Sequence, residues 1–269
     1  MSSFRADWLA LREPYDRKAR SAEVADAVAA AFVAQPAVSI VDLACGTGST
    51  LRAISPRLPP RQDWRLVDND LGLLLRAGAA AAPSGVRVTT VPVDLARDLE
   101  AALDGPLDLV TTSALLDLVS EDWLERLAVE TAARNLPIYA ALTFDGRAEL
   151  EPADPLDDAV AAGVNRHQRT DKGFGPALGP AAAAAAVKGF GRAGYTVVQG
   201  RSDWSFAPHD RDIQLEILAG WAGAAREIGT VSLTDGVSWL ARRREFVASG
   251  RSRIRVGHVD FFAAPTGRR

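Results

Sequence analysis

Two rhythms of apolar residues run along this chain. Short apolar or alternating runs rich in valine, leucine and isoleucine occupy 39–43, 64–68, 86–93, 107–112, 137–144, 195–199 and 253–263. Each reads as a strand. The segments between them repeat apolar residues every three or four positions, which predicts helices over 4–34, 49–58, 71–82, 121–134, 180–193, 212–228 and 233–247. Strand and helix alternate, so the expected class is α/β, with a mostly parallel sheet covered on both faces. Pro14 is expected to break or restart the first helix, and Leu58-Pro59-Pro60 to end the second. Asp145-Gly146 should end the fifth strand, and Gly194 should cap the helix over 180–193.

Two segments interrupt the alternation. Residues 147–179 include Asn165-Arg166-His167-Gln168-Arg169-Thr170-Asp171-Lys172-Gly173-Phe174-Gly175-Pro176, a polar stretch whose glycines and prolines argue against regular structure. Residues 207–250 separate the last two strands and read as two amphipathic helices. Together the insertions are expected to form a small cap on a single domain spanning 1–269. Arg242-Arg243-Arg244, with Arg251, Arg253 and Arg255, reads as a solvated face, since Glu245 interrupts it.

Composition narrows the function classes. A formal charge of −3 gives no general attraction to nucleic acid or to an anionic membrane. One cysteine, Cys45, excludes an intrachain disulfide and a cysteine-rich metal site, and no metal is expected. No apolar stretch is long enough to span a bilayer. The first residues lack the basic-then-apolar order of a signal peptide, so a cytoplasmic location is expected. A homodimer is compatible with these features.

The most informative stretch is Ile40-Val41-Asp42-Leu43-Ala44-Cys45-Gly46-Thr47-Gly48-Ser49-Thr50-Leu51. A buried strand ends in two close glycines and a helix begins. The glycines allow a sharp turn and let a ligand lie against bare backbone. The third glycine of a dinucleotide fingerprint would fall at Leu51. A bulky side chain there is expected to hinder a pyrophosphate, so the loop suits a nucleoside without a diphosphate better than NAD. Asp68 ends the second strand about 20 positions past the glycines, the place from which a carboxylate accepts hydrogen bonds from ribose hydroxyls. Asn69 is assigned to the adenine edge. Asp70 is a candidate cap for the following helix.

The stretch over 40–52 resembles the first motif of the class I, Rossmann-like, S-adenosylmethionine-dependent methyltransferases. Asp42, Gly46 and Gly48 fit the family's acidic-x-x-x-Gly-x-Gly pattern, and Ala44 stands where glycine is common. The resemblance covers roughly residues 10–146. It implies a three-layer fold with a seven-stranded sheet whose last strand is antiparallel, and S-adenosyl-L-methionine as cofactor. It places Asp94 near the adenine amine, ahead of the weaker competitor Asp98, with the backbone of Leu95 beside the ring. Ser113 and Asp117 would face the sulfonium and the transferred methyl group. Tyr15 and Arg20 resemble a helical lid over the cofactor, with Arg20 able to meet the methionine carboxylate.

The acceptor side is less determined. His167 is a candidate general base for an oxygen acceptor, because histidine exchanges protons near neutrality. Asp117 or Asp203 could instead orient an amine. Gln168, Lys172 and Trp204 are candidate substrate contacts. The leading expectation is methyl transfer to oxygen or nitrogen of a small molecule. One alternative is an RNA, DNA or protein acceptor. The chain has Thr112-Ser113-Ala114-Leu115 where nucleic-acid amino-methylating enzymes often carry Asn/Asp-Pro-Pro-aromatic. Another is a non-catalytic S-adenosylmethionine-binding partner protein. A dehydrogenase fits worst, because of Leu51.

Overall fold

The structure is a computed structural model and describes residues 5–80 and 82–267; Phe4 and Ala81, placed in helices above, lie outside those residues. Its strands are β1 (Ala37–Leu43), β2 (Arg61–Asp68), β3 (Val86–Pro92), β4 (Leu109–Ser113), β5 (Ile138–Glu151), β6 (Tyr195–Arg201), β7 (Trp204–Phe206) and β8 (Arg253–Pro265). The helices are α1 (Ala6–Ala19), α2 (Ala22–Phe32), α3 (Ser49–Ile54), α4 (Leu71–Ala79), α5 (Leu99–Ala102), α6 (Glu121–Ala133), α7 (Asp157–His167), α8 (Ala182–Arg192), α9 (Arg211–Ile228) and α10 (Leu233–Ala248).

The sheet runs β3-β2-β1-β4-β5-β8-β6, and β7 pairs with β8 off this path. The first five strands are mutually parallel, while β8 is antiparallel to β5, β6 and β7. Side chains alternate across β1. Ile40 joins Leu51, Leu66, Leu74 and the α2 residues Val24, Val28 and Phe32 on one face. Val41 and Leu43 join Leu124, Leu127 and Phe190, from α6 and α8, on the other. Burying each large aliphatic or aromatic side chain contributes about 1.5–3 kcal/mol, so both layers are held by packing. The register sets Leu43 beside Val67 and Thr112. The carboxyl ends of β1, β2 and β4 therefore form one ledge, at the point where chain order reverses about β1.

A third apolar cluster lies at the end of the sheet. It joins Val160 and Val164 of α7, Ile213, Ile217 and Leu218 of α9, Trp239 of α10, Trp204 and Phe206 of β7, and Ile254 and Val256 of β8. Arg243, fully buried, bonds Asp157 and donates to the Pro152 carbonyl at 2.6 Å. This ties α10 to the start of α7.

Several boundaries differ from those the sequence predicts. Pro14 lies within α1, and the chain breaks instead at Arg20, which is extended (φ −51, ψ 136). Arg12 binds Asp16 across the proline, and Glu13 beside it binds Arg52 of α3. The break is fixed by Asp260, which accepts the Ser21 N–H at 3.0 Å, while Ser21 caps α2. Gly146 does not end β5. It takes φ +86 at a register shift between Phe144 and Ala148, and the strand resumes because β8 continues alongside. The segment expected to be irregular thus begins as strand and contains α7. The sheet has eight strands rather than seven, since Trp204–Phe206 pairs with the start of β8. Among the described residues no helix is long and apolar enough to cross a membrane.

Candidate functional site

A cavity of about 830 Å³ opens on the ledge. Its floor is the turn after β1. Gly46 has φ +55, and a Cβ there would stand 3.3 Å from Leu9 Cδ1 of α1. The Gly46 N–H donates to Asp68 Oδ2 at 2.9 Å, and the Asp70 N–H donates to Asp68 Oδ1 at 3.0 Å. A carboxylate has about four lone-pair positions, so each Asp68 oxygen keeps one acceptor position. Ala44 and Ala114 also line the cavity, both at φ +53 at the tips of β1 and β4. Left-handed alanines cost about 1–2 kcal/mol each, a cost tolerated at the small positions where backbone must approach a ligand.

The adenine-side expectations separate residue by residue. Asn69 lines the cavity, as do Leu73, Val93 and Leu95. Trp123 Nε1 donates to the Leu95 carbonyl at 2.7 Å and pins that loop. Asp94 does not reach the wall; its carboxylate accepts the Ala96 N–H and lies 3.6 Å from Arg97. Asp70 caps α4 through the Gly72 and Leu73 N–H groups and also lines the cavity. Cys45 is on the wall, and burial pushes its thiol well up.

Other expected contacts lie behind the wall. Asp42 is 0% exposed beneath the turn, where Thr111 Oγ1 donates to it at 2.8 Å. Burial drives its carboxyl up to about 7, although Thr111 and Arg20 oppose this. Gly48 is not on the wall; it precedes α3 at φ +82, facing Arg52, Leu66 and Ala77. Leu51 is buried in the core and not at the mouth of the turn, so it excludes the tight helix–strand packing of a dinucleotide fold rather than blocking a phosphate. Arg20 points under the ledge. It donates to Tyr139 Oη at 3.1 Å, and at 3.4 Å to Thr50 Oγ1 and Ser113 Oγ, which do line the cavity.

Tyr15 faces away from the cavity. Its hydroxyl donates to Asp210 at 2.9 Å and its ring stacks edge-on against Phe206. Burial, with the hydrogen bond to Asp210, pushes its phenol up to about 12. Trp204 is not on the wall either; its indole N–H donates to Asp16 at 2.9 Å. Asp203 is held by both terminal nitrogens of Arg147, at 2.7 and 3.0 Å, away from the cavity. Burial raises its pKa, but Arg147 and the His258 N–H outweigh that, and the net direction is down.

The other end of the cavity is built by the insertions. His167 ends α7, Gln168 and Thr170 to Phe174 follow, and Glu227 comes from α9. His167 Nδ1 is 3.3 Å from Lys172 Nζ, and Nε2 is 3.4 Å from Glu227. An ammonium has no acceptor, so Nδ1 accepts and Nε2 carries the proton towards Glu227. Burial lowers the Lys172 pKa, and Glu227 opposes that. Gln168 Nε2 donates to Asp117 at 3.2 Å. Asp117 is buried one layer back. Burial raises its carboxyl to about 6, with backbone N–H groups of Asp117 and Phe144 and the charge of Arg12 opposing.

Among the wall residues not singled out from the sequence are Arg12 and Asp16. Arg12 Nε donates to Asp16 at 2.9 Å, and its guanidinium lies 5.1 Å over the Trp204 ring. Their i,i+4 spacing in a charge-dense segment was the available signal. Their neighbour Trp204 is 188 positions away from Asp16. Among the described residues, no group of three or more His, Cys, Asp or Glu could hold a metal ion.

Comparison with known proteins adds to this geometry. Residues 40–136 match a family model described as a methyltransferase domain. A cyclopropane-fatty-acyl-phospholipid synthase-like protein from Lactobacillus casei superposes with a TM-score of 0.51 at 12% identity, covering 93% of this chain and 98% of its own. It shows the shared fold. A putative methyltransferase from Bacillus halodurans gives 0.48 at 13% identity, covering 90% and 99%. A Geobacter sulfurreducens methyltransferase gives 0.44 at 18%, covering 91% and 92%. No curated protein matches the chain.

Proposed function

From the methyltransferase-domain match over residues 40–136, we propose that the chain is a class I, S-adenosylmethionine-dependent methyltransferase that methylates an oxygen or nitrogen of a small molecule. The observation that carries this reading is the cavity itself. One volume of about 830 Å³ joins the Gly46–Asp68 turn to His167, Gln168 and Lys172. Small-molecule pockets span about 300–1,000 Å³, so this one is near the upper end, as room for two ligands requires.

The residues present fit the cofactor. Asp68 keeps two acceptor positions for two ribose hydroxyls, and Gly46 leaves bare backbone under Leu9. Leu73, Val93 and Leu95 offer apolar surface for a base, and Ser113 and Thr50, steadied by Arg20, offer hydroxyls beyond the turn. S-adenosylmethionine, bound there, supplies an electrophilic methyl group on a sulfonium centre. The protein contributes alignment and the exclusion of water. His167 is the proton-exchanging side chain on the acceptor wall. To take a proton it must release one present partner, Lys172 at Nδ1 or Glu227 at Nε2.

Titration calorimetry with S-adenosylhomocysteine tests the reading. The wild type is expected to bind, and Asp68→Ala to weaken binding ten- to a hundredfold, since hydrogen bonds to a charged carboxylate are worth about 1.5–3 kcal/mol. Unchanged binding in Asp68→Ala defeats the assignment. His167→Asn should keep that affinity and lower turnover of a hydroxyl acceptor by about 10²–10⁴.

A further inference from the structure

Arg12 is nine-tenths buried, at 9% exposure, yet stands on the cavity wall. Its Nε is spent on Asp16, and both Asp16 oxygens are taken, one by Arg12 and one by the Trp204 indole. The guanidinium face lies over Trp204. Its two terminal nitrogens make no hydrogen bond to any described residue and stay open to the cavity. Two parallel N–H groups in one plane match a carboxylate.

Position decides which ligand they meet. Asp68 lies on β2, to one side of β1. Arg12 lies over Trp204 of β7, which pairs with β8, two strands past β4 on the opposite side. The guanidinium therefore belongs to the flank away from the nucleoside seat. Building on the proposed methyl transfer, we propose that Arg12 binds a carboxylate on the acceptor, so that the substrates are small carboxylic acids.

The cofactor's own methionine carboxylate is the rival source of the same chemistry, and the test separates the two. S-adenosylhomocysteine and 5′-methylthioadenosine, which lacks the amino acid, are titrated into wild type, Arg12→Gln and Arg12→Lys. Benzoate, phenylacetate and octanoate are then titrated into each S-adenosylhomocysteine complex against their amides. At least one acid should bind the wild-type complex about tenfold better than its amide, as one charge-assisted hydrogen bond gives. That preference should vanish in Arg12→Gln and partly survive in Arg12→Lys, with S-adenosylhomocysteine affinity within about twofold throughout.

Loss of S-adenosylhomocysteine affinity in Arg12→Gln, with methylthioadenosine unaffected, would assign the guanidinium to the cofactor and overturn the inference. So would equal binding of acids and amides, or no binding of either. Failure of the wild type to bind S-adenosylhomocysteine overturns the methyltransferase reading first. Because Arg12→Gln deprives the buried Asp16 of its cationic partner, Arg12→Gln with Asp16→Asn serves as the folded control and should show the same lost preference.

Discussion

The individual residues with the sharpest consequences are Asp42 and Gly46. The Asp42 carboxyl titrates near 7 in the folded chain against a usual 3.8, chiefly because it is buried. Between those values the folded chain holds a proton that the unfolded chain has released, so this group makes stability fall as pH rises. The buried His258 runs the other way, lowered by burial and by Arg12 to about 3, so it adds stability as pH rises and its effect fades only above its usual 6.5. Urea unfolding should therefore show the wild type losing about 1 kcal/mol relative to Asp42→Asn from pH 6.5 to 8. At Gly46 a methyl group meets both φ +55 and Leu9. Gly46→Ala should cost about 1–2 kcal/mol in urea unfolding and weaken S-adenosylhomocysteine binding as well. The local motif located both positions, but of the two only Gly46 is on the wall; Asp42, expected to touch the cofactor, lies beneath the turn. Arg12 and Tyr15 show the limit: their roles depend on Trp204 and Asp210, which no local spacing brings near.

Between residues and the whole lie the elements, and here patterning and punctuation fared differently. Strand and helix rhythms located the main layers because the helices bury one stripe and the central strands, covered on both faces, read as apolar runs. Punctuation misled at Pro14 and Gly146, where tertiary partners overrode a local breaker. It also hid α7, whose apolar positions Val160 and Val164 gain meaning only against α9. That contact is close. Gly163 on α7 has no room for a side chain, for a Cβ would stand 2.6 Å from Ala225 Cα. Gly163→Ala should separate the two helices at about 1–3 kcal/mol of stability. Since His167 and Glu227 sit at the ends of these helices, acceptor KM should rise more than the S-adenosylhomocysteine Kd. Steady-state kinetics beside calorimetry would show the difference.

Across the whole molecule, α1 connects regions that the sheet keeps apart. It meets the turn at Gly46 through Leu9, holds α3 through the Glu13–Arg52 pair at 2.6 Å, and reaches Asp210 ahead of α9 through Tyr15. Trp8 on this helix faces Trp204 on β7 edge-on, 6.4 Å between ring centres. Those two indoles give the protein a built-in optical gauge. Lifting α1 would wet both rings and shift their emission to longer wavelength; seating it over a filled cavity would shift emission back. Stopped-flow fluorescence with S-adenosylhomocysteine should thus record a blue shift that Trp8→Phe diminishes, timing the first helix's movement without any attached dye.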